Sequence, residues 1–473
     1  MTTPIAINTF DAAASLEQLR TRIAGQVVLP GDELYQEARK VHDFQWDRFP
    51  SVIVRVANIS DIAESVKFAR RHQLPFTVRS GGHSAAGYSV MDGALVIDLS
   101  QFKRVVIDPE RRRARVQAGA TSGDLAGPAH AYGLALSTGD ASSVGLGGLA
   151  TGGGIGWFVR KYGLAADRLR SANIVTADGN IIRASATEHP DLFWAIRGGG
   201  GNFGIVAEFE FELVPVGFVH AGALVLPLTP EVVRGYLECA LRAPDELSTI
   251  GAIGFAPPAP FIPEDRVGKP ALVILAVWVG VPDEGDRALE PLRNLAPAIA
   301  DTIQPIPYPA MFEYTAAASA PHGATIRSMF TNELPDSAID DMIESLGSAT
   351  SPVAMIQFRP LGGEFARIDR DSTAFVHRDK NFMVTVLSLW LDENDNGDAH
   401  RDWVETLWSK ISHLRDGVYS NFLGLEGEAR TREAYTESVY RRLAEVKAMY
   451  DPDNVFRYNQ NIRPAQAARQ EAA

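Results

Sequence analysis

Hydrophobic and polar residues alternate most cleanly from Ile205 to Leu213. Ile205, Ala207, Phe209, Phe211 and Leu213 share one face of an extended chain, and Glu208, Glu210 and Glu212 share the other. That period of two predicts a half-buried antiparallel strand, closed by Pro215. Upstream the pattern is βαβ-like. Val27-Val-Leu before Pro30-Gly-Asp reads as a short strand and turn, and Val52-Ile-Val-Arg-Val as a second strand. Ser60 then reads as a helix cap, with Asp61 and Glu64 in the first turn and Ile62, Val66 and Ala69 as the apolar stripe. Pro75-Phe-Thr-Val-Arg and Ala94-Leu-Val-Ile-Asp-Leu are further strands, and Pro109-Glu-Arg-Arg turns a hairpin.

Beyond Pro215 the pattern changes. Leu272-Val-Ile-Leu-Ala-Val-Trp-Val and Phe382-Met-Val-Thr-Val-Leu-Ser-Leu-Trp predict strong strands, whereas Ser337 to Leu346 and Asp402 to Leu414 have helical periodicity. Residues 216–415 therefore predict an α+β domain with a large antiparallel sheet. The final segment, 416–473, carries a helix through Tyr440 to Lys447, then Asp451-Pro-Asp-Asn, and a tail from Ala465 that reads as frayed.

Composition narrows the class. A chain of 473 residues with 46% apolar and 22% charged residues is globular and divides into two or three domains. The net charge of −13 argues against nucleic acid and anionic membrane as partners, so the basic run Arg111 to Arg115 reads as a solvated hairpin turn. The single cysteine, Cys239, permits no disulfide and no cysteine metal site, and reads as a small buried helix residue; no HExxH occurs, so no metal is expected. Met1 to Ala6 lacks the basic and apolar parts of a secretory signal, and the uncharged stretches 141–159 and 213–230 are broken by Gly, Ser and Pro. The expectation is a cytoplasmic protein that makes no use of a membrane.

The glycines are concentrated. Eight fall within Gly139 to Gly156 and five within Gly198 to Gly204. Such density is costly in a fold and is tolerated where backbone must approach a ligand. Gly145-Leu-Gly-Gly-Leu-Ala and Gly199-Gly-Gly-Asn-Phe-Gly both imitate a dinucleotide fingerprint, but the first lacks a preceding strand and the second runs directly into one. A nicotinamide-type site is therefore rejected. A third cluster, Arg79-Ser-Gly-Gly-His-Ser, leaves a strand and offers several backbone N–H groups in a tight turn suited to a diphosphate. Taken alone, His83 in that turn would be a surface loop histidine.

Four segments in order, Arg79 to Ser84, Gly145 to Gly156, Gly201-Asn-Phe-Gly-Ile-Val and Asp451-Pro-Asp-Asn-Val-Phe-Arg-Tyr-Asn-Gln-Asn-Ile, resemble the berberine-bridge-enzyme-like FAD oxidases of the vanillyl-alcohol-oxidase class. The resemblance spans about residues 25–464. It implies a two-part FAD domain, 1–215 and 416–473, around a substrate domain at 216–415. It implies that Arg79, Ser80, Gly81, Gly82, His83 and Ser84 wrap the FAD diphosphate, and that His83 is joined to the flavin 8α carbon. Gly139, Val144, Gly145, Gly148, Gly152, Gly153 and Gly156 would line the flavin; Ile205 and Val206 would meet the adenine side, and Asn459 and Asn461 the pyrimidine edge. Relatives that attach flavin twice use a cysteine where this chain has Ala141, so one link is the most it can form.

The implied chemistry is hydride transfer from a small organic alcohol or amine to flavin, with O2 as acceptor and H2O2 as product. Several relatives use a tyrosine as base in an Asn-Tyr pair; here the pair is Asn421-Phe422. Tyr419 and His377 are the candidate replacements. On an alternating strand Tyr419 would face away from Phe422, and His377 could equally be a hydrogen-bonded domain-interface histidine. Val144 resembles the oxygen-reactive relatives, which favours an oxidase over a dehydrogenase with another acceptor; the absent tyrosine leaves a flavin carrier without activity as a further alternative.

Overall fold

The computed structural model describes residues 9–466. Met1 to Ala6, and all but the first two residues of the tail from Ala465, lie outside that range. The fold is α+β, as the resemblance implies.

Three sheets set the architecture. In the first, the strands Gln26–Val28, Val52–Arg55, Leu95–Asp98 and Phe76–Arg79 lie in that order, the last three mutually parallel. Helix Ile59–Arg71 makes the crossover between parallel strands. Its cap is Asn58, which accepts the N–H of Asp61 at 3.0 Å, and not Ser60. Asp61 is buried because its carboxylate is needed elsewhere: it accepts the backbone N–H groups of Ala24, Gly25 and Ala57.

The second sheet is antiparallel, in the order Val105–Asp108, Arg113–Gln117, Ile205–Glu212, Leu169–Val175, Ile181–Ser185. The alternation seen at Ile205 holds: Phe209 and Phe211 are buried, and the glutamates form a polar face. That face explains the basic hairpin. Glu208 pairs with Arg115 at 2.9 Å, and Glu212 pairs with Arg113, Arg168 and Arg170 across neighbouring strands.

The third sheet draws all its strands from 218–390. Its order is Ala300–Asp301, Phe218–Pro227, Pro270–Trp278, Leu247–Phe255, Val353–Pro360, Phe382–Trp390, Gly323–Thr331, with Gln304–Pro307 also on Phe218–Pro227. Helices Pro230–Arg242, Asp336–Ser345 and Asp398–Ile411 cover one face, with Tyr236, Met342 and Trp403 in the intervening core. Cys239 lies on the first of these helices but is half-buried, its Sγ 3.8 Å from the carbonyl of Pro291. On the other face Phe330 and Met383 pack against Phe375 and Tyr419, toward the glycine-rich loop.

The C-terminal segment returns to the first two sheets. Val418, Tyr435, Leu443, Phe456 and Ile462 join the same core as Ile97, Leu146 and Phe209. Lys447 and Asp451, both fully buried, lock this return. The ammonium meets the carboxylate at 2.6 Å and donates to the carbonyls of Asn202 and Phe456. Burial lowers the Lys447 pKa, and the Asp451 carboxylate opposes that shift. Among the described residues, no helix is long and apolar enough to cross a membrane, and no cluster of His, Cys, Asp and Glu could hold a metal.

Candidate functional site

The turn at 79–84 leaves the edge strand Phe76–Arg79. Arg79 does not extend into it. Its guanidinium is buried, bidentate on Asp98 at 2.7 and 3.2 Å, with a third bond to the carbonyl of Lys40. Arg79 thus anchors the turn from behind through its side chain. Ser80 donates to the carbonyl of Ala118 at 2.6 Å, and Ser84 accepts the N–H of Tyr88. Gly82 has φ +75°, a conformation that favours glycine.

Gly81 brings the turn against the second glycine cluster. A Cβ there would overlap the backbone of Gly145, and a Cβ on Gly145 would overlap Gly81 and the Ser80 hydroxyl. The two backbones therefore touch, as only two glycines allow. This contact brings His83 to Ser143, with Nε2 and Oγ 2.9 Å apart. The His83 ring stacks on His42 at 3.8 Å, and His42 meets the edge of His322 at 5.1 Å. Burial, then the nearby His42 and His322, push the His83 pKa down to about 3, so the imidazole is neutral near pH 7.

The loop from 139 to 156 is the hub. Ala141 is buried, and Val144 is half-buried against the N-terminal core. Leu146–Gly152 is a short helix with Gly145 as its cap, preceded by coil rather than a strand. Gly148 faces open space: a Cβ there would meet nothing within 4 Å. Gly139 is closed off by Leu149, Gly156 by the carbonyl of Thr138, and Gly153 has φ +132° against Phe375. Gly152 leaves no room for a Cβ beside Asn421.

Tyr419 and Asn421 meet this hub from the C-terminal side. The Tyr419 oxygen accepts the N–H of Gly154 at 2.8 Å and the Asn421 amide at 2.9 Å. Residues 420–422 form a helical turn, not an alternating strand, so Tyr419 and Phe422 stack at 5.6 Å instead of facing apart. Burial outweighs these two hydrogen bonds and pushes the phenol up to about 12. His377 is placed differently. Its Nε2 lies 3.1 Å from the carbonyl of Glu433, its ring fills the space beside Gly417, and Phe330 and Phe375 flank it. Burial pushes its pKa down to about 4. It ties the connection between the strands Val353–Pro360 and Phe382–Trp390 to the C-terminal segment.

Ile205 and Val206 begin the long strand, both buried, behind a Gly204 at φ +154°. Asn459 donates to the carbonyls of Gly201 and Phe456. The Oδ1 atoms of Asn459 and Asn461 are buried without a partner. Two unpaired acceptors and an open face at Gly148 fit a cofactor that brings a donor edge, as FAD has.

Three residues escaped the sequence reading. Asp140, Trp157 and Arg359 line a narrow cleft between the loop and the large sheet, with Ile155, Ser248 and Thr249. Arg359 Nη2 lies 2.6 Å from Asp140 Oδ2, and its guanidinium sits 5.3 Å over the Phe422 ring. Asp140 follows the first loop glycine directly, a position the motif leaves variable. Arg359 lies far off in sequence, on a strand with no motif.

Residues 50–185 match the family described as FAD binding domain, and residues 418–463 the one described as berberine and berberine like. The (R)-6-hydroxynicotine oxidase of Paenarthrobacter nicotinovorans is 32% identical over 455 residues, 93% of this chain and 97% of that protein. The crystal structure of 6-hydroxy-D-nicotine oxidase from Arthrobacter nicotinovorans superposes with a TM-score of 0.83 at 28% identity, over 94% of this chain and 98% of that one. A xylooligosaccharide oxidase from Myceliophthora thermophila shares the fold, with a TM-score of 0.84 at 24% identity over 96% and 100% of the two chains. With two family matches in place and a relative covering nearly the whole chain, the protein is an enzyme that belongs to the berberine-bridge-enzyme-like FAD-linked oxidoreductases.

Proposed function

We propose that this oxidoreductase carries FAD on a single covalent link at His83, oxidises a small organic alcohol or amine, and uses O2 as its acceptor. The two-part FAD domain would comprise 1–215 and 416–473, with the substrate domain at 216–415 and the enzyme acting in the cytoplasm. When bound, FAD accepts the substrate hydride and passes the electrons to O2, giving H2O2.

The observation that carries this reading is the His83–Ser143 pair at 2.9 Å. Ser143 engages Nε2, which leaves Nδ1 as the ring nitrogen for the flavin 8α carbon. The imidazole is neutral there, and only the neutral ring has a lone pair to give. The turn at Gly81 and Gly82 would hold the diphosphate, and Asn459 and Asn461 supply acceptors for the flavin edge. Ala141 leaves no second attachment point.

Acid-denatured protein should remain yellow, and His83→Ala should release its flavin on denaturation. A colourless precipitate from the unaltered protein would overturn the covalent link. Substrate-dependent peroxide formation in air tests the acceptor; flavin reduction without reoxidation by O2 would make the enzyme a dehydrogenase.

A further inference from the structure

Two contacts of different kinds hold the half-buried His83 ring. One face stacks on His42, with centroids 3.8 Å apart and planes 27° off parallel. His42 is itself tied to the turn that carries His83, since its backbone N–H donates to the carbonyl of Gly82 at 3.2 Å. The second contact is at the ring edge, where Ser143 Oγ lies 2.9 Å from Nε2. Ser143 reaches that edge because Gly145, two residues on, touches the backbone of Gly81. The stack limits rotation of the ring about its Cβ–Cγ bond, a rotation that would carry Nε2 away from Ser143.

A neutral imidazole has one N–H and one lone pair, and the bond made at one nitrogen decides what the other can do. A serine hydroxyl can donate or accept, so the His83–Ser143 pair has two states. In the first, Ser143 donates to Nε2; the ring proton is then on Nδ1, which has no lone pair to give. In the second, Nε2–H donates to Ser143 and Nδ1 holds the lone pair. The ring also meets the Ser143 backbone in a contact that raises the His83 pKa, and a contact of that sign is one in which the ring donates. Both contacts with Ser143 are satisfied by a proton on the ring edge that faces it.

Granted the covalent link at His83 proposed above, we propose that Ser143 selects the reactive tautomer of His83: by accepting the Nε2 proton it keeps the lone pair on Nδ1 for the flavin 8α carbon. Ser143 is a positioning residue, and its role is in attaching the cofactor rather than in turning over substrate. The attachment balances. One 8α C–H bond breaks and one N–C bond forms. The two electrons leave through FAD to O2, the acceptor proposed above, and the 8α proton and the ring N–H proton leave with them as H2O2. A hydroxyl that only filled space at 143 could be exchanged for a methyl with no effect on this step.

The test is flavin attachment in the full-length protein, read as the flavin that stays with the chain after acid denaturation, in the unaltered protein, Ser143→Ala and Ser143→Thr. Total flavin per chain is recorded before denaturation, and the covalent fraction is followed over time in air with added FAD. The flavin-bearing peptide is then released by proteolysis, and NMR assigns the ring nitrogen that bears the 8α carbon. The expected result is a link through Nδ1 in the unaltered protein. Ser143→Ala should still bind FAD but attach it about tenfold more slowly, the worth of one hydrogen bond in choosing between two states. Ser143→Thr keeps the hydroxyl and should attach FAD at close to the unaltered rate. Ser143→Ala that attaches FAD at the unaltered rate would overturn the proposal and leave the covalent link standing, as would a link through Nε2. Ser143→Thr as slow as Ser143→Ala would overturn it by tracing the effect to shape, and Ser143→Ala that binds no FAD would overturn it by making Ser143 part of the binding surface. Unaltered protein that releases all its flavin on denaturation would remove the covalent link itself, and the proposal with it.

Discussion

The Tyr419 hydroxyl oxygen lies 2.8 Å from the backbone nitrogen of Gly154, at a point where Gly154 has φ +84°. The phenol thus satisfies a buried N–H in a stretch of loop that cannot pair with itself. Tyr419→Phe should leave that N–H unpaired and cost about 1–3 kcal/mol of stability. Thermal unfolding measures the loss. Flavin reduction in the same variant should stay within about tenfold of the original; a fall of ~10²-fold or more would return Tyr419 to the role of base.

His377 gives a pH prediction. Its folded pKa of about 4 is depressed below the ordinary histidine value, and burial is the main cause. The unfolded state therefore binds the proton more readily between roughly pH 6.5 and 4. The sign follows: stability is complete above pH 6.5 and falls as the pH drops toward 4. The span corresponds to about 3 kcal/mol. Denaturant unfolding of His377→Gln should show a flatter acid dependence than the unaltered protein. Flavin reduction should change little, because the ring contacts Glu433 and two phenylalanines.

Gly148 separates ligand space from packing space. A Cβ at Gly148 meets no protein atom, and the residue sits within the short helix Leu146–Gly152. Alanine is favoured over glycine in a helix by up to about 1 kcal/mol, so Gly148→Ala should not destabilise the apoprotein. If FAD occupies the open side, the same methyl should weaken its binding by tenfold or more. Gly81→Ala is the contrast: its Cβ would strike the backbone of Gly145, so both stability and FAD content should fall. Calorimetry of apoprotein, with flavin titration, distinguishes the two.

What could be read from the sequence was what repeats or punctuates. The alternation at Ile205 and the glycine clusters were legible because a period of two and an absent Cβ leave a mark in one dimension. Arg79 was legible as part of a motif but not in its role, since its partner Asp98 lies on another strand. Residue type favours Ser60 as a cap as much as Asn58, and only the backbone path decides for Asn58, whose side chain accepts the N–H of Asp61. An extended strand would put Tyr419 and Phe422 on opposite faces. A helical turn brings residues three apart together, and their rings stack. Arg359 and Asp140 are 219 residues apart, and only the docking of the large sheet onto the loop joins them.

Val144 bears on the acceptor. It is half-buried against the N-terminal core, and its carbonyl accepts the N–H of Ser122 at 2.9 Å, so its backbone is fixed. The loop that holds it is the one the family resemblance sets beside the flavin. Leucine adds one methylene, and a close-packed interior has no slack for it. If that methylene closes the approach of O2, Val144→Leu should slow reoxidation far more than it slows reduction by substrate. If Val144 is only core, the exchange should cost under ~3 kcal/mol of stability and leave both half-reactions in proportion. Stopped-flow mixing of the photoreduced enzyme with oxygenated buffer separates the cases. Reoxidation of the unaltered enzyme at no more than the rate of free reduced flavin would assign the electrons to another acceptor, because a site built for O2 must outpace the flavin alone.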